Sequence, residues 1–178
     1  MKLIILDRDG VINVDSNDYI KSESDWEPIP GSLEAIGRLC HHGYRVVVVT
    51  NQAGLSSGVM TIEDLNRIHQ KMYTQLAQFR GTVEAVFFCP HAPDEDCECR
   101  KPKPGLLKEV ATRLRTPLET AILVGDKLSD LEAAAAVNCG QALVRTGYGQ
   151  AHVDAGEVPA HVPVYANLSE FVDELLTD

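Results

Sequence analysis

Lys2-Leu3-Ile4-Ile5-Leu6-Asp7-Arg8-Asp9-Gly10 opens the chain with an apolar run that ends on two carboxylates. Lys2 to Leu6 has the composition of a short strand buried in a parallel sheet. It stops abruptly at Asp-x-Asp-Gly, where the chain should leave the sheet. In open α/β sheets, ligands bind outside the carboxyl ends of the strands. A carboxylate placed there can attack phosphorus, hold Mg²⁺, or do both. A second one two residues on can carry protons or add a metal oxygen. Asp and Gly also make ordinary turns, so the motif taken alone leaves a plain turn open.

The same punctuation recurs along the chain. Leu33, Ile36 and Leu39 form a helical stripe between Pro30-Gly31 and Gly43, and Tyr44 to Val49 is a β-branched run that reads as a buried strand. Thr61-Ile62-Glu63-Asp64 resembles a helix N-cap, after which Leu65, Ile68, Met72 and Leu76 keep the helical period to about Phe79. Val83 to Phe88 reads as a third strand. A helix follows Pro104-Gly105 to Leu114, then come a strand from Thr120 to Val124 and a helix from Leu131 to Val137. A strand from Gln141 to Val144, an irregular surface segment from Gly147 to Pro163, and a strand plus helix from Val162 to Leu176 complete the pass. This alternation predicts an α/β fold: a doubly wound, Rossmann-like parallel sheet with helices on both faces.

Composition narrows the frame. The 178 residues are read as one domain (1–178), with ordinary globular contents of 44% hydrophobic and 24% charged residues. A formal net charge of −10 opposes a nucleic-acid partner, whose phosphates need the opposite sign. No signal-peptide core follows Met1 and no run of about 18 apolar residues is present, so a cytoplasmic protein with no membrane partner is expected. A monomer is the default expectation.

The polar residues fall at the strand ends. Asp7 follows the first strand, Thr50-Asn51-Gln52 the second, Cys89-Pro90-His91 the third and Gly125-Asp126-Lys127 the fourth. In a parallel sheet these positions share one crevice. Asp7 and Asp126 would supply oxygens to one Mg²⁺, which suits a few carboxylates together with water and phosphate. Asp7 would attack phosphorus, and Asp9 would protonate the leaving oxygen and later deprotonate water. Thr50 and Asn51 offer a hydroxyl and N–H groups to the phosphoryl oxygens, and Lys101, beside Arg100, would hold the charge developing there. Asp130 would orient Asp126 or Lys101, or simply be an acid in the first turn of a helix.

Cys89-x-His91-x5-Cys97-x-Cys99 has the composition of a closed, tetrahedral Cys3His zinc site, structural because it leaves no position for substrate. Such a site would rigidify a loop whose end carries Arg100-Lys101-Pro102. Cys40 and Cys139 read as core residues, and His41, His42, His69, His152 and His161 as surface or structural ones. A non-catalytic zinc module would keep the four ligands but has no use for Asp7, Asp9, Lys101 and Asp126 together. A kinase would need a nucleotide loop, and no Gly-x-x-x-x-Gly-Lys-Ser/Thr is present.

Asp7-Arg8-Asp9-Gly10, Thr50-Asn51-Gln52, Arg100-Lys101-Pro102 and Gly125-Asp126-Lys127 together resemble the four motifs of the haloacid-dehalogenase-like phosphatases. The Cys/His block resembles one branch of them, which acts on heptose bisphosphate and on histidinol phosphate. The resemblance implies a capless fold with a zinc-bound loop, catalytic Mg²⁺ and structural Zn²⁺. It implies Asp7 as nucleophile, Asp9 as proton donor, and Mg²⁺ held by Asp7, Asp126 and the Asp9 backbone carbonyl. Thr50 and Lys101 would stabilise the phosphoryl group and Arg100 would recognise substrate. Asp15, Asn17, Asp18, Tyr19, Asn51, Gln52, Ala53 and Lys127 would line the pocket. Val11-Ile12-Asn13, Asp15, Tyr19 and Asn51-Gln52-Ala53-Gly54-Leu55 resemble the heptose branch more closely, which implies a small phosphorylated sugar as substrate and a part in lipopolysaccharide core synthesis. Ser56-Ser57 departs from the Ala-Arg of that branch and removes one cation near the pocket.

Overall fold

The computed structural model describes residues 2–177. Six strands, β1 (Leu3–Leu6), β2 (Arg45–Asn51), β3 (Ala85–Cys89), β4 (Ile122–Gly125), β5 (Gly140–Val144) and β6 (Val164–Tyr165), form one sheet in the order β3-β2-β1-β4-β5-β6. Every pairing is parallel. The helices are α1 (Ser32–His41), α2 (Ile62–Gln78), α3 (Gly105–Leu114), α4 (Leu128–Ala135), α5 (Gly149–Asp154) and α6 (Leu168–Thr177).

Alternate residues of the central strands feed two separate cores. Ile4, Leu6, Val46, Val48 and Val124 pack with Leu33, Ile36 and Leu39 of α1, Ile68 and Met72 of α2, and Phe171 of α6. Leu3, Ile5, Val47, Val49 and Leu123 pack on the opposite face with Leu106, Leu107 and Val110 of α3 and Ala133 and Ala134 of α4. Burial on both faces explains why these strands read as continuous apolar runs and not as alternating ones. The predicted α/β sheet with helices on both faces is the observed fold. No helix among the described residues is long and apolar enough to cross a membrane.

The start of α2 follows from its sequence. Thr61 Oγ1 accepts from the Asp64 N–H at 3.2 Å, and the Asp64 carboxylate accepts from the Thr61 N–H at 2.9 Å, a reciprocal cap. Leu65, Ile68, Met72 and Leu76 then bury one face. Two helix expectations need correction. The helix expected from Leu131 begins at Leu128, because the Asp130 carboxylate accepts from the Lys127 N–H at 3.1 Å and closes its first turn. The segment 147–163 is not wholly irregular: α5 lies inside it, a helix of six residues too short to show a period. The fourth strand starts at Ile122, two residues late, since Leu118–Thr120 form a 3-10 turn. Cys139 is buried in the turn before β5, with its thiol directed at the Ala121 carbonyl (3.4 Å), while Cys40 is half-buried at the end of α1.

The order of strands decides where function can sit. The chain runs from β1 outward to β2 and β3, then returns across β1 to β4 and continues to β5 and β6. The carboxyl end of β1 is therefore the point where the winding reverses, and loops on either side diverge to leave a crevice. Asp7 stands there, its N–H donating to the Val124 carbonyl at 3.0 Å.

Candidate active site

A cleft of about 520 Å³ opens over the strand ends. Of the residues expected from sequence, Asp7, Asp9, Asp15, Asn17, Tyr19, Asn51, Gln52, Ala53, Arg100, Lys101 and Lys127 line it. Asp126 and Thr50 lie just beneath, both fully buried. Asp18 does not belong to this wall: its exposed carboxylate pairs with Lys21 at 2.5 Å.

Asp7 is held from one side. Its Oδ1 accepts from the Arg8 N–H at 2.8 Å and lies 3.0 Å from Lys101 Nζ. Lys101 also donates to Asp130 Oδ1 at 2.6 Å and to the Val49 carbonyl at 2.8 Å, so this buried ammonium has a full set of acceptors. Burial works against its charge, but Asp130 and Asp7 outweigh burial and raise its pKa. Asp130 thus serves Lys101 and, through its other oxygen, the start of α4; of the roles left open for it, these two are the ones observed. Asn51 places Lys101 as well. Its amide donates to the Lys101 carbonyl and accepts from the Lys101 N–H, both at 3.1 Å.

Asp9 lines the same cleft in a different field. Its Oδ1 accepts from Arg8 Nε (3.0 Å), Arg8 Nη2 (2.9 Å) and Asn13 Nδ2 (3.0 Å), while Oδ2 has the Gln52 amide at 3.3 Å. Burial would raise its pKa, yet the Arg8 charge and these hydrogen bonds hold it below the usual carboxylate range. Gln52 also donates to Thr50 Oγ1 at 2.8 Å, so it acts beneath the cleft as well as on its wall.

Lys127 lines the cleft above the buried Asp126. Lys127 Nζ lies 2.8 and 3.0 Å from the two Asp126 oxygens, 3.3 Å from Asp15 and 3.9 Å from Asp7. These ion pairs link four carboxylates, Asp7, Asp15, Asp126 and Asp130, to only two ammonium groups, Lys101 and Lys127. Two negative charges remain uncompensated. Burial, with Asp130 adding its charge, pushes Asp7 up to about 6, and burial with the Asp7 charge pushes Asp126 up to about 7. A divalent, oxygen-loving cation fits this deficit. Asp7, Asp126 and Asp130 bring carboxylate oxygens within 4.8 Å of one another. Asp130 lies away from the cleft with its oxygens on the buried Lys101 ammonium and the Lys127 N–H. Asp7 lines the cleft and Asp126 meets the partly exposed Lys127 ammonium, which a cation could replace, so Asp7 and Asp126 are the side chains that could hold the ion. The floor is built for that closeness: a Cβ on Gly10 (φ +84°) or Gly147 (φ +60°) would collide with the Asp126 carboxylate.

The zinc ligands predicted from spacing converge. Cys89 Sγ lies 3.1 Å from Cys99 Sγ and 3.7 Å from Cys97 Sγ, and His91 Nδ1 lies 3.4 Å from Cys89 Sγ and 3.2 Å from Cys99 Sγ. A tetrahedron with Zn–S of about 2.3 Å has S···S edges of about 3.8 Å, so four donors in this arrangement could hold one Zn²⁺. Cys89 ends β3, and the loop runs on through Arg100-Lys101 toward α3, with the Arg100 N–H 3.4 Å from Cys97 Sγ and Arg100 Nη1 donating to the His91 carbonyl at 3.2 Å. Burial raises Cys89 to about 12; Cys97, where the Arg100 N–H and neighbouring thiols overcome burial, falls to about 7. The Glu95 side chain bonds the Ser56 hydroxyl and so ties this loop to the one after β2.

Three residues that contact the expected ones, directly or through one another, have no counterpart among those predicted. Tyr148 lines the cleft, donates its N–H to Asp126 at 2.9 Å, lays its ring 5.0 Å from Lys127 Nζ and bonds the Asn17 side chain through its hydroxyl. It follows β5, and the strand-end rule that found Asp7 and Asp126 extends to it. Arg8 and His69, buried and 3.1 Å apart (Nη1 to Nε2), carry no pattern in sequence.

A parallel sheet that gathers an Asp-x-Asp pair, a lysine and a further Asp at the carboxyl end of its central strands defines a haloacid-dehalogenase-like phosphohydrolase. Residues 98–171 match the HAD-hydrolase-like family. Over all 178 residues the chain is 46% identical to D-glycero-beta-D-manno-heptose-1,7-bisphosphate 7-phosphatase of Bordetella bronchiseptica, covering 99% of that protein. It is 44% identical over 176 residues to the Pseudomonas putida enzyme of the same name, covering 99% of this chain and all of that one. The crystal structure of D,D-heptose 1,7-bisphosphate phosphatase from B. bronchiseptica, complexed with magnesium and phosphate, superposes with a TM-score of 0.97 over 99% of both chains at 46% identity. The chain belongs to the heptose 1,7-bisphosphate phosphatase family of haloacid-dehalogenase-like hydrolases, and it is a phosphatase.

Proposed function

We propose that this protein removes the 7-phosphate of D-glycero-β-D-manno-heptose 1,7-bisphosphate through an aspartyl-phosphate on Asp7. The observation that carries the reading is that Asp7, steadied on one oxygen by Lys101 and the Arg8 N–H, shares one cleft with Asp9. An Asp7 oxygen attacks phosphorus and the bond from phosphorus to the sugar oxygen breaks; Asp9, which takes up a proton as the phosphate brings its negative charge alongside, passes that proton to the sugar oxygen. Asp9, now ionised, takes a proton from water as the water attacks phosphorus. Inorganic phosphate leaves and the Asp7 carboxylate is restored. Lys101 and the Thr50 hydroxyl steady the charge on the transferred group.

The carboxylates of Asp7 and Asp126 and the backbone carbonyl of Asp9 hold Mg²⁺, which supplies the positive charge that lets an anionic nucleophile approach an anionic phosphate. Cys89, His91, Cys97 and Cys99 would hold a structural Zn²⁺, which would tie down the loop that carries Arg100 and Lys101. Arg100, Asp15, Asn17, Tyr19, Asn51, Gln52, Ala53 and Lys127 meet the sugar and its second phosphate. Residues 1–178 act as one domain and as a cytoplasmic monomer on a small phosphorylated sugar, with neither nucleic acid nor membrane as partner. The net charge of −10 and the need of a zinc thiolate site for a reducing compartment support this.

Phosphate release from heptose 1,7-bisphosphate and from histidinol phosphate, measured side by side with Mg²⁺, tests the substrate. The expected result is a kcat/KM at least about a hundredfold higher on the heptose, or about 2.7 kcal/mol of transition-state discrimination. Preference for histidinol phosphate would overturn the substrate and leave the chemistry at Asp7 intact.

A further inference from the structure

The partners of Arg8 are unusual for a buried cation. Its guanidinium is fully buried and contacts Asp9 Oδ1 through Nε and Nη2, Gln52 Oε1 through Nη2 at 3.5 Å, and His69 Nε2 through Nη1 at 3.1 Å. Gln52 itself reaches Asp9 Oδ2. Three of these four contacts therefore bear on Asp9, directly or through Gln52. The fourth, His69, projects from α2 and is itself buried. Arginine can only donate, so His69 Nε2 must present its lone pair and the ring must carry its proton on Nδ1. A neutral ring is also what burial and the Arg8 charge impose, holding the His69 pKa down at about 4.

The result is an asymmetric carboxyl group. Oδ1 of Asp9 accepts from three donors and has no room for a proton, whereas Oδ2 has one long contact. Proton traffic at Asp9 must pass through Oδ2, and the direction of Oδ2 is set by whatever holds Oδ1. We propose that His69 is a positioning residue for the proton-transfer step: by accepting from Arg8 it fixes the guanidinium that orients Asp9, so that Oδ2 faces the leaving oxygen. The proposal deepens the reading of Asp9 as proton donor and rests on it. The bond balance is that of the proposed reaction: phosphorus–oxygen cleavage at the substrate, with the proton passing from Asp9 Oδ2 to the departing oxygen.

Glutamine and asparagine at position 69 separate positioning from folding. The Gln amide oxygen can reach the place of the imidazole Nε2, while the Asn oxygen stops near the place of Nδ1 and falls short of Arg8. The assay compares kcat/KM on heptose 1,7-bisphosphate, an alkyl phosphate whose leaving oxygen needs a proton, with that on p-nitrophenyl phosphate, whose leaving group departs as an anion. Asp9→Asn serves as reference. It should lose about a hundredfold on the heptose and at least tenfold less on the aryl ester. His69→Asn should reproduce that asymmetry, losing at least tenfold more on the heptose than on the aryl ester, and His69→Gln should stay within about fivefold of wild type on both. Equal losses on the two substrates for His69→Asn, as from a reduced amount of folded enzyme, would overturn the proposal, as would no loss on either. Equal losses for Asp9→Asn would instead remove the acid role of Asp9, and the positioning role of His69 with it.

Discussion

Replacing Lys101 with methionine separates the structural and the chemical work of one side chain. Lys101 is 4% exposed, and its Nζ meets Asp130 Oδ1 at 2.6 Å, the Val49 carbonyl at 2.8 Å and Asp7 Oδ1 at 3.0 Å. Methionine fills much of the same volume but leaves two buried carboxylates and a carbonyl without their donor. Two unit charges about 3 Å apart attract by about 5 kcal/mol at an effective dielectric of about 20. Desolvation offsets much of that in the intact pair, but the charges left behind stay buried, and removal of one partner typically costs about 3–5 kcal/mol. Urea unfolding followed by the fluorescence of Trp26, the sole tryptophan and 1% exposed, reads that loss at fixed Mg²⁺ and Zn²⁺. Lys101→Met should fall by about 3–5 kcal/mol. Lys101→Met/Asp130→Asn should recover at least about 1.5 kcal/mol, because the neutral amide removes the unpaired charge and keeps an oxygen for the Lys127 N–H. Phosphatase kcat should stay at least about a hundredfold down in both, since neither restores a cation beside the phosphoryl group. A loss below about 1 kcal/mol in Lys101→Met, or activity regained in the double variant, would refute the reasoning.

Three further outcomes follow from other parts of the molecule. His69 titrates near 6.5 when unfolded and near 4 when folded, so between these values the unfolded chain binds more protons and stability falls as pH drops. From pH 7.5 to 4.5 the wild type should lose about 2–3 kcal/mol more than His69→Gln in urea titrations, and parallel pH slopes would contradict this. Zinc withdrawal by a chelator should leave far-UV circular dichroism nearly unchanged and lower kcat by at least about tenfold as Arg100 and Lys101 lose their anchorage; full activity in protein shown to be zinc-free by elemental analysis would contradict it. Tyr148→Phe cuts the bond to Asn17 but keeps the ring beside Lys127 and the N–H on Asp126, so KM should rise about three- to tenfold with kcat within about twofold; a fall in kcat alone would contradict it.

The reach of the sequence is uneven, for physical reasons. Strands buried on both faces announce themselves as β-branched runs, and a parallel sheet brings their carboxyl ends together whatever the intervening loops do. Asp7, Lys101 and Asp126 were therefore legible, as was the zinc cluster, whose ligand types and spacing leave few alternatives. Asp130 was not assigned, because a carboxylate four residues after Asp126 on a helix can face Asp126 or Lys101, and only the packing of α4 against β4 decides. Asp18 looked like a pocket residue from its loop, yet Lys21 draws its carboxylate outward. Arg8 gives no sign in the sequence that its guanidinium is buried against Asp9; the acceptor for its remaining nitrogen, His69, arrives from α2, 61 residues away. Tyr148 was missed for the opposite reason: its segment is irregular enough to hide α5, although it occupies one more strand end over the same crevice.

The central claim is that Asp7 carries the phosphoryl group. Borohydride reduces an aspartyl-phosphate to homoserine, so enzyme mixed with heptose 1,7-bisphosphate and Mg²⁺, quenched within one turnover, reduced and digested, can be read by peptide mass spectrometry. The account predicts homoserine at position 7 and aspartate at positions 9 and 126, with no conversion in Asp7→Asn. Conversion at Asp9, or an unmodified Asp7 in an enzyme that still releases phosphate, would contradict it.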